Sequence, residues 1–159
     1  MEITAKELDE MLNIFKKDAG ELIFVLRAHL FIEEILESII KSKLPKYKAI
    51  LEKPGLQFFD KLRLVRAMDV LPKGIFASIN ALNELRNKFA HNIDYKAAVE
   101  DIDKIAESFL KAYAKIKKTV GSKTKIIHPD GKTTHKNMIL ELTVDNLLGY
   151  MFRLKKDYV

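Results

Sequence analysis

The sequence predicts an all-α protein, an up-and-down bundle of about five helices, and three observations carry that prediction. Apolar residues recur at three- and four-residue spacing through the first 120 positions, the period of a helix with one buried face. Proline and glycine, 4 and 6 of the 159 residues, fall almost entirely between those periodic stretches. Hydrophobic residues make up 48% and charged residues 31%, enough for one ordinary hydrophobic core without cross-links.

Taken in order, Thr4 and Glu7 form a capping box, Leu8, Leu12 and Phe15 follow at helical spacing, and Gly20 offers a C-cap, so a helix is predicted over about 4–18. The run from Glu21 to Leu44 ends at Pro45. On a helical wheel it carries only a narrow polar stripe (Arg27, Glu34, Glu37, Ser38, Lys41), which makes it the central helix of the bundle. Residues 45–56, with Pro45, Pro54 and Gly55, read as a connection with room for one helical turn. A helix over about 58–71 is stopped by Pro72, and another runs from about Gly74 to His91, with Asn92 and Asp94 closing it and opening the next. Val99, Ile102, Ala106, Phe109, Tyr113, Ile116 and Val120 then define a helix that ends near Gly121.

Beyond Gly121 the character changes. Asp130–Gly131 is a tight-turn signal and predicts a short β-hairpin over about 124–135. Met138–Leu142 fits a strand or a helix equally, and Thr143 reads as the N-cap of a last helix to about Lys155. Residues 1–121 are thus expected to form the helical domain, and 122–159 a basic hairpin-plus-helix extension packed on it.

The net charge of +6 is unevenly placed. Residues 1–110 hold 17 Lys/Arg against 18 Asp/Glu, while residues 111–159 hold 11 against 4. Lys117, Lys118, Lys123, Lys125, Lys132 and Lys136 are therefore the candidate nucleic-acid-binding residues, the plainer alternative being that this charge only keeps the chain soluble.

The absence of cysteine excludes a disulfide scaffold, thiol chemistry and thiolate zinc sites. A polar N-terminus and the lack of a long apolar run point to a cytoplasmic protein with no membrane partner. There is no phosphate-binding glycine loop, dinucleotide fingerprint, serine elbow, His-Glu-x-x-His or Glu-x-x-His motif. His128 and His135 flank the predicted turn without a third ligand, so no metal or cofactor is expected. His29 and Glu33 stand one helical turn apart, which invites a metal or acid–base reading; a local contact on a mostly buried helix is the simpler one.

One constellation stands out. In the helix ending at His91, Ile75, Ile79, Leu82, Leu85 and Phe89 form the buried arc, and Asn80, Asn83, Glu84, Asn87 and His91 gather opposite. Asparagine is a mediocre helix former, so its repetition there predicts a face that meets another protein surface or lines a cleft, with Asn80 and Asn83 on it. Arg86 sits at the edge of the apolar arc, roughly 140° from His91. Bringing the two together requires either that the helix unwinds near Ala90 or that the Arg86 side chain curls around. Otherwise Arg86 only snorkels from the core edge and His91 only closes a helix, where a positive side chain is favoured.

The segment RNKFAHN (Arg86–Asn92), with RAHLFIEEILESII (Arg27–Ile40) and FFDKLRLVRAMDVL (Phe58–Leu71), closely resembles the HEPN superfamily of small helical bundles, nearest the mannitol operon repressor-like branch. Its pattern is an arginine, preferably followed by Asn, Asp or His, and a histidine four to six residues beyond. The resemblance covers roughly residues 20–115 and leaves the basic C-terminal third aside. It implies a homodimer whose motif helices meet across a two-fold axis. It also implies a metal-independent endoribonuclease, of a toxin or defence type, acting on single-stranded RNA through Arg86, Asn87 and His91. An antitoxin or other protein partner follows from the same resemblance. So does the competing expectation, a non-catalytic regulatory module that binds protein or nucleic acid.

Overall fold

A computed structural model describes residues 20–52, 56–92, 94–120 and 136–158, together with Lys6 and Glu10. Lys6 and Glu10 are helical; the rest of the helix predicted over 4–18 lies outside the described residues, as do the predicted hairpin over 124–135 and both His128 and His135.

The first long helix, α1, spans Glu21–Lys43 and starts where the Gly20 carbonyl accepts the Phe24 N–H at 3.1 Å. Pro45 forces the preceding residue out of the helical region, and Leu44 accordingly sits at φ −111°, ψ 113°. A single turn, α2 (Lys48–Leu51), occupies the connection. Helix α3 (Phe58–Ala67) opens with a reciprocal cap between Gln57 and Asp60. It stops short of the Pro72 barrier because Asp69 adopts a left-handed conformation at φ 58°, which aspartate tolerates better than most residues, and Arg66 Nη1 closes the turn on the Leu71 carbonyl at 2.6 Å.

Helix α4 spans Lys73–His91 and α5 spans Val99–Val120. Asn92 Oδ1 accepts the Asp94 N–H at 3.1 Å and shapes the turn, but α5 is started by Asp101, whose carboxylate accepts the Ala98 N–H at 3.0 Å. Helix α6 spans Lys136–Tyr158, so the ambiguous run 138–142 is helical and the last helix begins seven residues before Thr143. The buried positions Leu140, Val144, Leu147, Leu148, Met151 and Leu154 explain why: one helical stripe runs straight through Thr143.

The result is an all-α bundle, with no strand among the described residues. Helices α1, α4, α5 and α6 pack in a closed ring, each on the next, and α3 lies over α1 and α4. Ile32, Leu36 and Ile39 of α1, Ile79 and Leu82 of α4, Ile105 of α5 and Leu148 of α6 belong to one buried cluster. Each such side chain contributes roughly 1.5–3 kcal/mol through burial. Helix α4 runs antiparallel to α5, since Gly74 meets Ser108 and Ala112, Ser78 meets Ile105, and Lys88 meets Asp101. Helix α6 runs alongside α1 in the same direction: Phe31 packs on Phe152 at 6.2 Å, Glu34 pairs with Lys155 at 2.7 Å, and Lys43 lies over the Tyr158 ring. Among the described residues no helix is long and apolar enough to cross a membrane.

Candidate functional site

The asparagine stripe of α4 does not face open solvent. Asn80, Asn83, Asn87 and Arg86 line a groove of about 570 Å³ whose opposite wall is His29 and Glu33 of α1, with Phe58 and Phe59 at the start of α3. Helix α3 creates it, because Phe58 at its first turn stacks on the His29 ring at 3.9 Å and the helix then leans over α1.

His29 is 6% exposed. Its Nε2 lies 3.0 Å from Asn83 Oδ1, and since an amide oxygen only accepts, Nε2 carries the proton. Burial pushes the imidazole below its ordinary value and the Arg86 guanidinium adds to this, against the opposing pull of the Asn83 hydrogen bond, so the ring is neutral near pH 7. The sequence pairing of His29 with Glu33 dissolves in the structure. Glu33 turns to Lys61 Nζ at 2.7 Å, which also bonds Glu37 at 2.7 Å. Burial alone would lower the Lys61 ammonium, but the two carboxylates outweigh it and hold it above its usual value; Glu37 is correspondingly held below the ordinary carboxylate range.

Arg86 donates through Nη1 to Asn87 Oδ1 at 3.2 Å, and its Nε is buried with no hydrogen-bond partner. No carboxylate among the described residues pairs with it. The groove's own acids are occupied, Glu33 by Lys61 and Glu84 by the Asn80 amide at 2.9 Å. An uncompensated, partly buried guanidinium is costly, and a groove that keeps one is suited to an incoming anion.

His91 is exposed as the last residue of α4 and is not part of the groove lining. The helix is unbroken to that point, with the Asn92 N–H bonded to the Lys88 carbonyl at 3.1 Å, so it does not unwind near Ala90. Nor does Arg86 curl toward His91; its guanidinium hydrogen-bonds Asn87 instead. The structure therefore brings Arg86 and Asn87 together with Asn80, Asn83 and His29, and leaves His91 beyond the end of the groove within one chain. Lys117 and Lys118 fall near the end of α5 and Lys136 opens α6; Lys123, Lys125 and Lys132 lie outside the described residues.

Sequence reasoning missed the anchor below His91. Asp101, 6% exposed, accepts hydrogen bonds from Lys88 Nζ, Tyr95 Oη and the Ala98 N–H. Burial would raise its carboxyl, yet these donors hold it below the ordinary range. The Phe89 and Tyr95 rings meet edge to face at 5.5 Å, so the chain leaving His91 is tied to both α4 and α5. The one available signal was an acidic residue at the third position of a helix. Lys61 carried no signal, because nothing local in the sequence marks a lysine as nearly buried. Among the described residues no cluster of three or more His, Cys, Asp or Glu could hold a metal ion. No family model, curated protein or solved structure matches the chain.

Proposed function

We propose that the chain is a metal-independent endoribonuclease of HEPN type, acting on single-stranded RNA as a homodimer. The observation that carries the reading is the pairing of a groove holding an uncompensated arginine with an exposed histidine on the same helix, in the register of the motif this sequence resembles. Two copies whose α4 helices meet across a two-fold axis supply what one copy lacks, the His91 of each reaching toward the Arg86 and Asn87 of the other. The His91 imidazole takes the proton of the RNA 2′-hydroxyl as its oxygen attacks phosphorus. The P–O5′ bond breaks and the leaving oxygen takes a proton from the imidazolium of the other His91. The products are a 2′,3′-cyclic phosphate and a 5′-hydroxyl. Arg86 stabilises the charge on the five-coordinate phosphorus and Asn87 orients it. The lysines of residues 111–159 supply the salt-sensitive attraction for the strand.

The test is cleavage of mixed single-stranded RNA in EDTA, with light scattering on the same preparation. The parent cleaves as a dimer. His91→Ala loses about 10²- to 10⁴-fold in rate with the dimer intact. Arg86→Ala loses activity and some stability, and Asn87→Ala is milder. An active His91→Ala protein, or a concentration-independent monomer, ends the catalytic reading. The second reading, a non-catalytic interaction module, is favoured by the separation of His91 from the groove. It takes over if the parent cleaves no RNA and His91→Ala disturbs the dimer or the binding of a partner.

A further inference from the structure

We propose that Asn83, Arg86 and Asn87 form a phosphoryl-binding site within a single chain, with His29 as the residue that positions it. The site shares Arg86 and Asn87 with the proposed reaction but stands on separate observations and needs neither His91 nor a second copy.

The three residues occupy positions i, i+3 and i+4 of α4, so their side chains leave one patch of the helix, about 5–6 Å apart at Cβ. Each has its acceptor or one donor already committed, and each keeps further donors uncommitted. Asn83 gives its Oδ1 to His29, and no partner for its amide N–H groups is found among the described residues. Asn87 gives its Oδ1 to Arg86 and is left in the same state. Arg86 keeps a buried Nε–H with no partner. A tetrahedral oxyanion offers several lone pairs to such a cluster, and a charge-assisted bond to the guanidinium is the strong member.

His29 is what fixes the polarity of this arrangement. A side-chain amide flipped by half a turn would present an oxygen to the groove instead of a donor. The imidazole in its Nε2–H tautomer opposes that, because Nε2–H donates to the oxygen end of Asn83, and the stacked Phe58 ring stops it from turning away. The groove's carboxylates do not compete, since Glu33 is held by Lys61 and Glu84 by Asn80.

The experiment uses isotope-labelled full-length protein and follows the Asn83 and Asn87 side-chain amides and the His29 ring by NMR. One series adds inorganic phosphate; another adds a short oligodeoxyribonucleotide, which has no 2′-hydroxyl to attack with. The expected result is saturable shifts of these groups, weakened about tenfold or more by Asn83→Ala and by Arg86→Met, since each variant removes a hydrogen bond to a charged ligand. His29→Leu behaves like Asn83→Ala, whereas His29→Gln, which keeps an N–H for the Asn83 oxygen, restores most of the affinity. Tighter binding of the oligonucleotide than of phosphate identifies a phosphodiester strand as the ligand, and the reverse order a small free anion; both support the site. Unmoved signals with both probes, or parent-like binding by Asn83→Ala, overturn it. RNA cleavage in EDTA is assayed on the same samples, so the two failures separate. A cleaving parent without groove shifts defeats the site alone, and an inactive parent with saturable shifts defeats the ribonuclease alone.

Discussion

Helix α4 has two sides that obey different rules. Against α5 the contact near the start of α4 is steric: a Cβ placed on Gly74 would sit 2.5 Å from the Ala112 Cβ and 2.6 Å from the Ser108 carbonyl oxygen, and the one hydroxyl of α4, Ser78, is satisfied by the Gly74 and Ile105 carbonyls at 3.0 Å each. Toward α1 and α3 the same helix presents Asn80, Asn83 and Arg86 to a groove, where a buried donor, Arg86 Nε, is left without a partner. The first side spends every contact on stability. The second withholds some, which is the pattern expected where a ligand or a partner completes the hydrogen bonding.

This contrast can be broken by mutation. The largest effect falls at the centre of the ring, where Leu82→Ala should cost about 2–5 kcal/mol in denaturant unfolding, because the site has helices on all sides and cannot collapse. Gly74→Ala should cost about 1–3 kcal/mol, since backbone and not a flexible side-chain tip stands in the way. Phosphate binding in the groove should be untouched by it. Asn83→Ala should reverse that profile in binding, losing the ligand, at a stability cost of about 1–3 kcal/mol for leaving the buried His29 N–H unpaired. If Asn83→Ala kept phosphate binding, or Gly74→Ala lost it, the two sides of α4 would not differ in kind.

The smallest effect sharpens the comparison through pH. Because burial holds His29 below its ordinary value, the unfolded chain takes up a proton that the native chain refuses. Stability should therefore decline as pH falls below about 6.5, and level off once the native imidazole is protonated too. His29→Gln should flatten melting temperature across that window. Asp101, whose carboxyl is held low, works in a lower window: its stabilisation is present above about 4 and is lost as pH falls through the native value.

The helices were legible wherever periodicity met a hard stop. Glu21–Lys43 lies between Gly20 and Pro45, and α4 begins one residue from Pro72, because proline acts through local sterics that need no tertiary context. The ending of α3 was not legible, since a left-handed aspartate leaves no mark in composition. Nor was the start of α6, where Met138–Leu142 is too short a run to show its period. In the site, the asparagine stripe was legible as a departure from helix propensity. That it meets His29, and that Glu33 is drawn off by Lys61 from twenty-eight positions away, is decided by how α3 packs over α1. The wheel angle between Arg86 and His91 survived intact because α4 stays regular to its last residue.

The parallel pairing of α1 and α6 sets the order in which this molecule can assemble. Lys155 and Glu34 are 121 positions apart, whereas the α4–α5 contacts join neighbours in the chain. Closing so long a loop costs more entropy, and contacts of large sequence separation slow folding. The α4–α5 hairpin is the natural nucleus, and α6 docks late, sealing the flank of α1 that Phe31 occupies. Such a chain should fold more slowly than an antiparallel bundle of equal size. Mutations at the α1–α6 seam should speed its unfolding more than they slow its folding.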